Sequence, residues 1–186
     1  GYFFESYNQQ TFNNLIGKPV NFVQDNESFS SRGVIRGLHF QEGEFAQAKL
    51  VRVIKGSVLD VAVDIRKDSP TFGQHIAVEL TEDNKRQLFV PRGFAHGFSV
   101  LSDTAIFSYK CDNFYNKNAE AGILYNDQSL NIDWKIKPDE AQLSEKDIIL
   151  PTLEVYFKQN QEHKTQKATS RYKQEPKTNT ITNTTT

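Results

Sequence analysis

Hydrophobic and polar residues alternate along much of the chain between residues 34 and 110. In the run 59–66, LDVAVDIR, every odd position is apolar and most even positions are polar. A period of two is typical of a β-strand with one buried face, because successive side chains point to opposite sides of a sheet. The pattern predicts a half-buried strand here and further strands over residues 49–54, 75–80, 87–90, 98–101 and 105–110.

Turn-forming residues separate these predicted strands, among them Gly56, Pro70 and Asn84. Helical periodicity is weak, and the best candidates are residues 7–16 and a single turn over 144–149, where Ser144 is placed to cap it. Many short strands at close spacing favour an all-β sandwich or barrel over an α/β fold.

The C-terminal part of the chain has a different composition. From about residue 158 to residue 186 it is nearly free of apolar residues and ends in a Thr- and Asn-rich stretch. Such a segment buries too little apolar surface to offset the entropy lost on ordering. A chain of 186 residues is long enough for one well-buried domain and short for two. We predict one domain over residues 1–157 and a disordered polar tail over 158–186.

Charge and composition narrow the function classes. The formal net charge is −1, without the broad basic surface that holds a nucleic-acid backbone, so we expect no nucleic-acid partner. No apolar run approaches the roughly 20 residues of a membrane-spanning helix, so we expect no membrane partner. Cys111 is the only cysteine, which excludes an intrachain disulfide and fits a reducing cytoplasmic compartment.

Two histidine-bearing segments carry the candidate chemistry: RGLHFQ at residues 36–41 and PRGFAHGF at 91–98. Free imidazole has a pKa of about 6.5 and can exchange a proton near neutral pH. A lone histidine in a strand is more often structural, so neither segment alone indicates catalysis. Arg36 and His39 would face opposite sides of a regular strand, so we expect irregular backbone at Gly37.

Seven segments, taken together, resemble the dTDP-4-dehydrorhamnose 3,5-epimerase family over about residues 1–153. They are FFESYN at 3–8, QDN at 24–26, the two histidine segments, DVAVDIR at 60–66, SPTFG at 69–73 and LSEKD at 143–147. The resemblance implies a cupin-type double-stranded β-helix (jelly roll) with minor helices, usually a homodimer. It also implies a cofactor-free enzyme whose substrate is a dTDP-linked 4-keto-6-deoxy hexose. The family's N-terminal strand and an arginine just before Gly1 have no counterpart here, so we expect part of the phosphate site to be incomplete.

The implied reaction inverts carbons 3 and 5 of dTDP-4-dehydro-6-deoxy-D-glucose. It needs a base, a group that stabilises the enolate, and an acid on the opposite face. By resemblance His39 is the base, paired with Asp147, and Tyr109 is the acid, because a phenol with a pKa near 10 keeps its proton at neutral pH. Lys49 and Arg36 supply cations for the enolate oxygen and the diphosphate.

The remaining implied residues bind the substrate, and an Asp-Asn pair by itself more often marks a turn. Glu5, Gln24, Asp25 and Asn26 match positions that hold thymine and diphosphate, some of them across the dimer interface. Glu120 and Lys146 match further contacts, Tyr115 is a rival proton donor, and His96 is a hydrogen-bond donor to the substrate. Asp60 and Asp64 alternate with valines, and we expect them to face outward or brace the site.

Three other functions stay open. One is an epimerase of the same fold that acts at carbon 3 or carbon 5 alone, and a second is a non-catalytic cupin that binds sugar nucleotides. The third is a metal-dependent cupin oxygenase or isomerase, since Pro91 to His96 resembles a cupin motif whose histidine often binds metal. The region of His39 lacks the second imidazole that such a centre needs, so we expect no metal.

Overall fold

The computed structural model describes residues 1–172, and the side chains of residues 1–162. In this part of the chain nine strands form two antiparallel sheets. One sheet has the order β1-β8-β3-β6 and the other β5-β4-β7-β2-β9. The strands are β1 Gln24–Ser31, β2 Ile35–Gln41, β3 Lys49–Lys55, β4 Ser57–Asp64, β5 His75–Thr81, β6 Gln87–Val90, β7 Phe94–Val100, β8 Thr104–Cys111 and β9 Glu120–Gly122. The all-β prediction is confirmed.

The two sheets face each other across a core that is apolar at one end and polar at the other. Val53 and Phe107 of the four-stranded sheet pack against Val58, Phe98 and Val100 of the five-stranded sheet. The Phe98 and Phe107 rings stack with centroids 4.2 Å apart. Further along the same strands the inward positions become polar and ionisable, so this end of the sandwich is where a site can form.

Strand β4 is buried on both faces, so the prediction of a half-buried strand was wrong. Its odd positions, such as Val61 and Val63, pack with Leu38 and Trp134 because the loop that follows β9 covers this side of the sheet. Its even positions point between the sheets, where Asp60 and Asp64 are buried. Hydrogen bonds replace the lost hydration at both carboxylate oxygens of Asp64, but only at Oδ1 of Asp60.

The two short helices agree with the sequence prediction. Helix α1, Gln9–Ile16, begins after Asn8, whose side chain accepts a hydrogen bond from the Thr11 N–H, and ends at Gly17. Helix α2, Glu145–Ile148, begins after Ser144, whose Oγ accepts the Asp147 N–H at 3.2 Å. The cap fixes the backbone that carries Asp147, so this single turn bears directly on the site.

Helix α3, Leu153–Tyr172, departs from the prediction of disorder from residue 158. Its first turns are anchored, because Leu153 is buried in the core, Tyr156 packs on Phe40, and Phe157 packs on Phe72. Gln, Glu, Lys and Ala, which follow, are good helix formers and can extend an anchored helix. The rest of the predicted tail, residues 173–186, lies outside the described residues, and the domain boundary at 157 stays a prediction.

Candidate active site

The site begins at an irregularity in β2. Arg36 pairs with Phe98 and His39 pairs with His96, and the register of β2 against β7 shifts between them. Gly37 adopts φ +110°, and a Cβ there would lie 2.6 Å from the His96 carbonyl oxygen. The expected irregular backbone is therefore confirmed, and it turns both Arg36 and His39 toward the inner face.

His39 and Asp147 form a hydrogen-bonded dyad. The His39 Nε2 lies 2.5 Å from Asp147 Oδ1, and the Gly37 N–H donates to Oδ2 of the same carboxylate at 3.5 Å. Burial raises the pKa of Asp147, but the hydrogen bond and charge of His39 outweigh it and hold this pKa below its ordinary value. The carboxylate stays ionised and orients the ring, leaving Nδ1 as the nitrogen that can take a proton.

A second dyad lies beside the first. The His96 Nε2 is 2.8 Å from Asp60 Oδ1, and His96 is the register partner of His39 on the neighbouring strand. His96 is 6% exposed and Asp60 is 0% exposed. The sequence left two placements open for Asp60, facing outward or bracing the site, because alternation alone does not show which face of a strand is the inner one. Its burial beside His96 favours the second.

Lys49 and Tyr109 face the dyads from the opposite sheet. The Lys49 Nζ lies 5.6 Å from the centroid of the Tyr109 ring. Burial lowers the pKa of Lys49, partly offset by the negative charges of Asp60 and Glu120. Burial raises the pKa of Tyr109, although the Asn26 hydrogen bond and the Arg36 charge oppose the shift. The phenol therefore keeps its proton beside a cation.

A polar cluster lines the exposed edge of the site, its mouth, where Tyr115 is 55% exposed. The Tyr115 hydroxyl donates to Glu120 Oε2 at 3.0 Å, Lys146 pairs with the same carboxylate, and the Tyr115 N–H donates to Gln24 at 3.1 Å. Burial raises the pKa of Glu120, but Lys146, Tyr115 and the charge of His39 together hold it below its ordinary value. The cluster is thus coupled to the His39 dyad.

Two predicted site residues lie elsewhere. Asp25 alternates with Gln24 and Asn26, so it points to the outer face of the sheet, where Lys110 donates to it at 3.0 Å. Glu5 is exposed in the N-terminal segment. This segment contacts the same outer face, where the Gln87 side chain donates to the Ser6 carbonyl. The structure brings the other predicted residues together at the inner face and its mouth.

No group of three or more His, Cys, Asp or Glu side chains that could hold a metal ion occurs among the described residues. Within the same part of the chain, no helix is long and apolar enough to cross a membrane. The expectation that the protein works without metal or cofactor stays a prediction.

Comparison with known proteins fits this geometry. Residues 1–155 match the sequence profile of the dTDP-4-dehydrorhamnose 3,5-epimerase family. The chain belongs to this epimerase family. The dTDP-4-dehydrorhamnose 3,5-epimerase of Salmonella typhimurium is 57% identical over 154 residues, which cover 83% of this chain and 84% of that protein.

Solved structures agree with the family assignment. The dTDP-6-deoxy-D-glucose-3,5-epimerase of Legionella pneumophila, in complex with dTDP-4-keto-L-rhamnose, is 49% identical with a TM-score of 0.80, over 83% of this chain and 81% of that one. A 3'-monoepimerase from Streptomyces bikiniensis, in complex with dTDP-quinovose, is 30% identical with a TM-score of 0.78, over 84% and 78%. The cupin-type jelly roll predicted for this chain is thereby confirmed.

Proposed function

We propose that the protein is a dTDP-4-dehydrorhamnose 3,5-epimerase, an isomerase that converts dTDP-4-dehydro-6-deoxy-D-glucose to dTDP-4-dehydro-L-rhamnose. The observation that carries this proposal is the placement of a base and an acid on opposed sheets. The His39–Asp147 dyad lies on one side of the inner space, and Tyr109 and Lys49 lie on the other. Inverting a carbon requires removal of a proton from one face and delivery to the other.

The reaction at each carbon has two proton transfers. His39 takes the proton from the carbon beside the carbonyl through Nδ1, and the Asp147 carboxylate stabilises the imidazolium that forms. The C–H electrons move into the enolate, whose oxygen the Lys49 ammonium stabilises. Tyr109 then delivers its proton to the opposite face of the carbon. Water returns a proton to Tyr109 and accepts one from His39 before the next inversion.

The polar residues around the pocket bind the rest of the substrate. Arg36 offers a guanidinium for the diphosphate, with its Nε and Nη2 each 3.2 Å from Ser30 Oγ. Gln24, Asn26 and the exposed Tyr115 are placed for the nucleoside at the mouth, next to Glu120 and Lys146. His96 contacts the sugar. Glu5 and Asp25 act from the partner in a homodimer.

We also propose that the enzyme is cytoplasmic and works without a cofactor. Metal analysis of the purified protein tests whether a metal ion is bound. Stoichiometric iron, manganese or zinc would favour a metal-dependent cupin instead. The second candidate function is an epimerase that acts at one carbon. It is favoured by the monoepimerase from S. bikiniensis, because a protein with that narrower activity has the same fold.

Proton NMR of dTDP-4-dehydro-6-deoxy-D-glucose incubated with the protein in D2O tests the proposal, because it follows carbons 3 and 5 separately. We expect deuterium at both carbons with the wild type and with His75→Ala, which removes an imidazole from the edge strand β5. We expect none with His39→Ala.

Each other outcome supports a different function. Exchange at one carbon alone identifies the single-site epimerase. Saturable binding of the substrate without exchange at either carbon identifies a sugar-nucleotide-binding cupin. Exchange that persists in His39→Ala means that another group is the base.

A further inference from the structure

The second dyad contains a carboxylate with an unusual environment. Asp60 is 0% exposed, and its Oδ1 lies 2.8 Å from the His96 Nε2. Its other oxygen, Oδ2, is buried without a hydrogen-bond partner among the residues that the structure describes. A buried carboxylate oxygen normally accepts at least one hydrogen bond. The presence of a carboxylate at position 60 therefore needs an explanation other than packing within the sheet.

Asp64 shows what a structural carboxylate looks like on the same strand and the same face. Its Oδ1 accepts from the Arg66 N–H and Nε, and its Oδ2 accepts from Arg66, Ser69 and Thr71. Every oxygen of Asp64 is used to fix one loop. Asp60 directs its single hydrogen bond to a histidine that lies beside the proposed base.

The direction of that hydrogen bond decides which ring nitrogen of His96 meets the substrate. An ionised carboxylate only accepts hydrogen bonds, so its histidine partner carries a proton on Nε2. The His96 ring also stacks on the Phe107 ring, with centroids 6.1 Å apart and an angle of 21° between the ring planes. Nδ1 is left as the nitrogen of His96 that can contact a ligand between the sheets, and in the neutral ring it acts as an acceptor. This tautomer departs from the donor role that the family resemblance implies for His96.

We infer that Asp60 is a positioning residue for the epimerisation, which fixes His96 with its Nε2–H turned to the carboxylate and its Nδ1 presented to the sugar. This inference rests on the proposed function of the pocket. The negative charge of Asp60 also supports the protonated state of Lys49, because it opposes the effect of burial on the Lys49 pKa. One buried carboxylate thus serves two groups that face the substrate.

The first test reads the wild-type protein and does not depend on the reaction. Long-range 1H–15N correlation spectra of 15N-histidine-labelled wild-type protein distinguish the ring tautomers, and the His96→Gln variant assigns the signal. We expect a proton on Nε2 of His96. A bare Nε2 with the proton on Nδ1 would overturn the inference, even if the enzyme is fully active.

The second test follows kcat/KM in the exchange assay, once the wild type has been shown to be active. Asp60→Asn keeps the size of the side chain but lets its amide donate to Nε2, which favours the other tautomer. We expect a loss of tenfold or more in kcat/KM and a shifted His96 signal. Asp64→Asn, which removes a buried carboxylate from the same strand, is expected to leave the His96 signal and kcat within about twofold while the protein stays folded.

A double variant separates positioning from simple damage. If Asp60 acts through His96, the Asp60→Asn change adds little to the loss already caused by His96→Gln. Losses that multiply in the double variant, or full activity of Asp60→Asn, would overturn the inference. If Asp60→Asn does not fold, the tautomer of the wild type alone decides.

Discussion

The two imidazoles of the site differ in their access to water, and this difference divides their roles. The His39 side chain is 29% exposed, whereas that of His96 is 6% exposed. A base that removes substrate protons must release them to solvent in every cycle. His39 meets this requirement and His96 does not, although each ring is held by a carboxylate. Because solvent reaches His39, its ring proton exchanges with D2O, and the deuterium can then be passed to the substrate.

Tyr109→Phe separates proton removal from proton delivery. His39 can still take the proton and return deuterium to the same face, so exchange into the substrate continues. The inverted product is expected to form at least about 100-fold more slowly, because the acid is gone. NMR of the incubated sugar nucleotide measures both the deuterium exchange into the substrate and the formation of the inverted product. Tyr125→Phe, which changes a tyrosine beside Trp134 outside the pocket, is the control. Unchanged product formation in Tyr109→Phe would transfer the acid role to Tyr115.

Asp64 makes the stability of the fold depend on pH. The hydrogen bonds from Arg66, opposed by burial and supported by Ser69 and Thr71, hold the Asp64 pKa far below its ordinary value. A pKa lower in the folded than in the unfolded state stabilises the protein above the unfolded pKa, and the stabilisation is lost as pH falls toward the folded pKa. We expect Asp64→Asn to lower the free energy of unfolding by about 2 kcal/mol at pH 7.

Urea unfolding between pH 7 and pH 3 measures this difference. The gap between wild type and Asp64→Asn is expected to narrow below about pH 4, where the unfolded carboxylate takes up its proton. A gap that stays constant over this range would show that the carboxylate's charge is not what stabilises the loop.

At the scale of elements, the sequence predicts strands well where apolar alternation is strong. Strand β6 is found over residues 87–90 as predicted, and β8 extends the predicted range by one residue at each end. Strand β1 was not predicted, because all its side chains except Phe29 are polar and Asp25-Asn26 is typical of a turn. Its pairing with β8 along its whole length outweighs that local preference. Because this stabilisation comes from the partner strand, the amino-acid sequence of β1 alone does not reveal it.

The irregular turn in β2 can be tested with two glycines. At Gly37 an added Cβ would meet backbone atoms of β7 at 2.6 and 2.8 Å, with φ +110°, whereas at Gly17, with φ +76°, it would meet nothing within 4 Å. Gly17→Ala therefore measures backbone strain alone, which costs about 1–2 kcal/mol. Gly37→Ala is expected to cost clearly more and to reduce exchange activity, because it displaces His39. Thermal unfolding and the exchange assay measure the two effects, and equal losses in both variants would contradict this account.

At the scale of the whole molecule, the site joins residues that are distant in the chain. His39 and Asp147 are 108 residues apart, so periodicity and local motifs could not pair them, and only the family resemblance did. The same resemblance grouped Glu5 and Asp25 with them, yet Asp25 and the segment that carries Glu5 lie on the outer face of the four-stranded sheet. A single protomer cannot bring Glu5 to its own inner pocket without crossing that sheet.

This placement predicts that Glu5 completes the site of a second protomer. Exposed aromatic residues in the same segment, among them Phe3 at 99% exposure, are then buried in the dimer. We expect Glu5→Ala and His39→Ala to be weakly active or inactive when each is prepared alone. When the two are unfolded together and refolded, each mixed dimer has one pocket with an intact His39 and an intact Glu5, and activity returns. Refolding each variant alone is the control. If light scattering shows mixed dimers and activity stays absent, Glu5 does not act across the interface; if it shows monomers with wild-type activity, the dimer is not needed for the reaction.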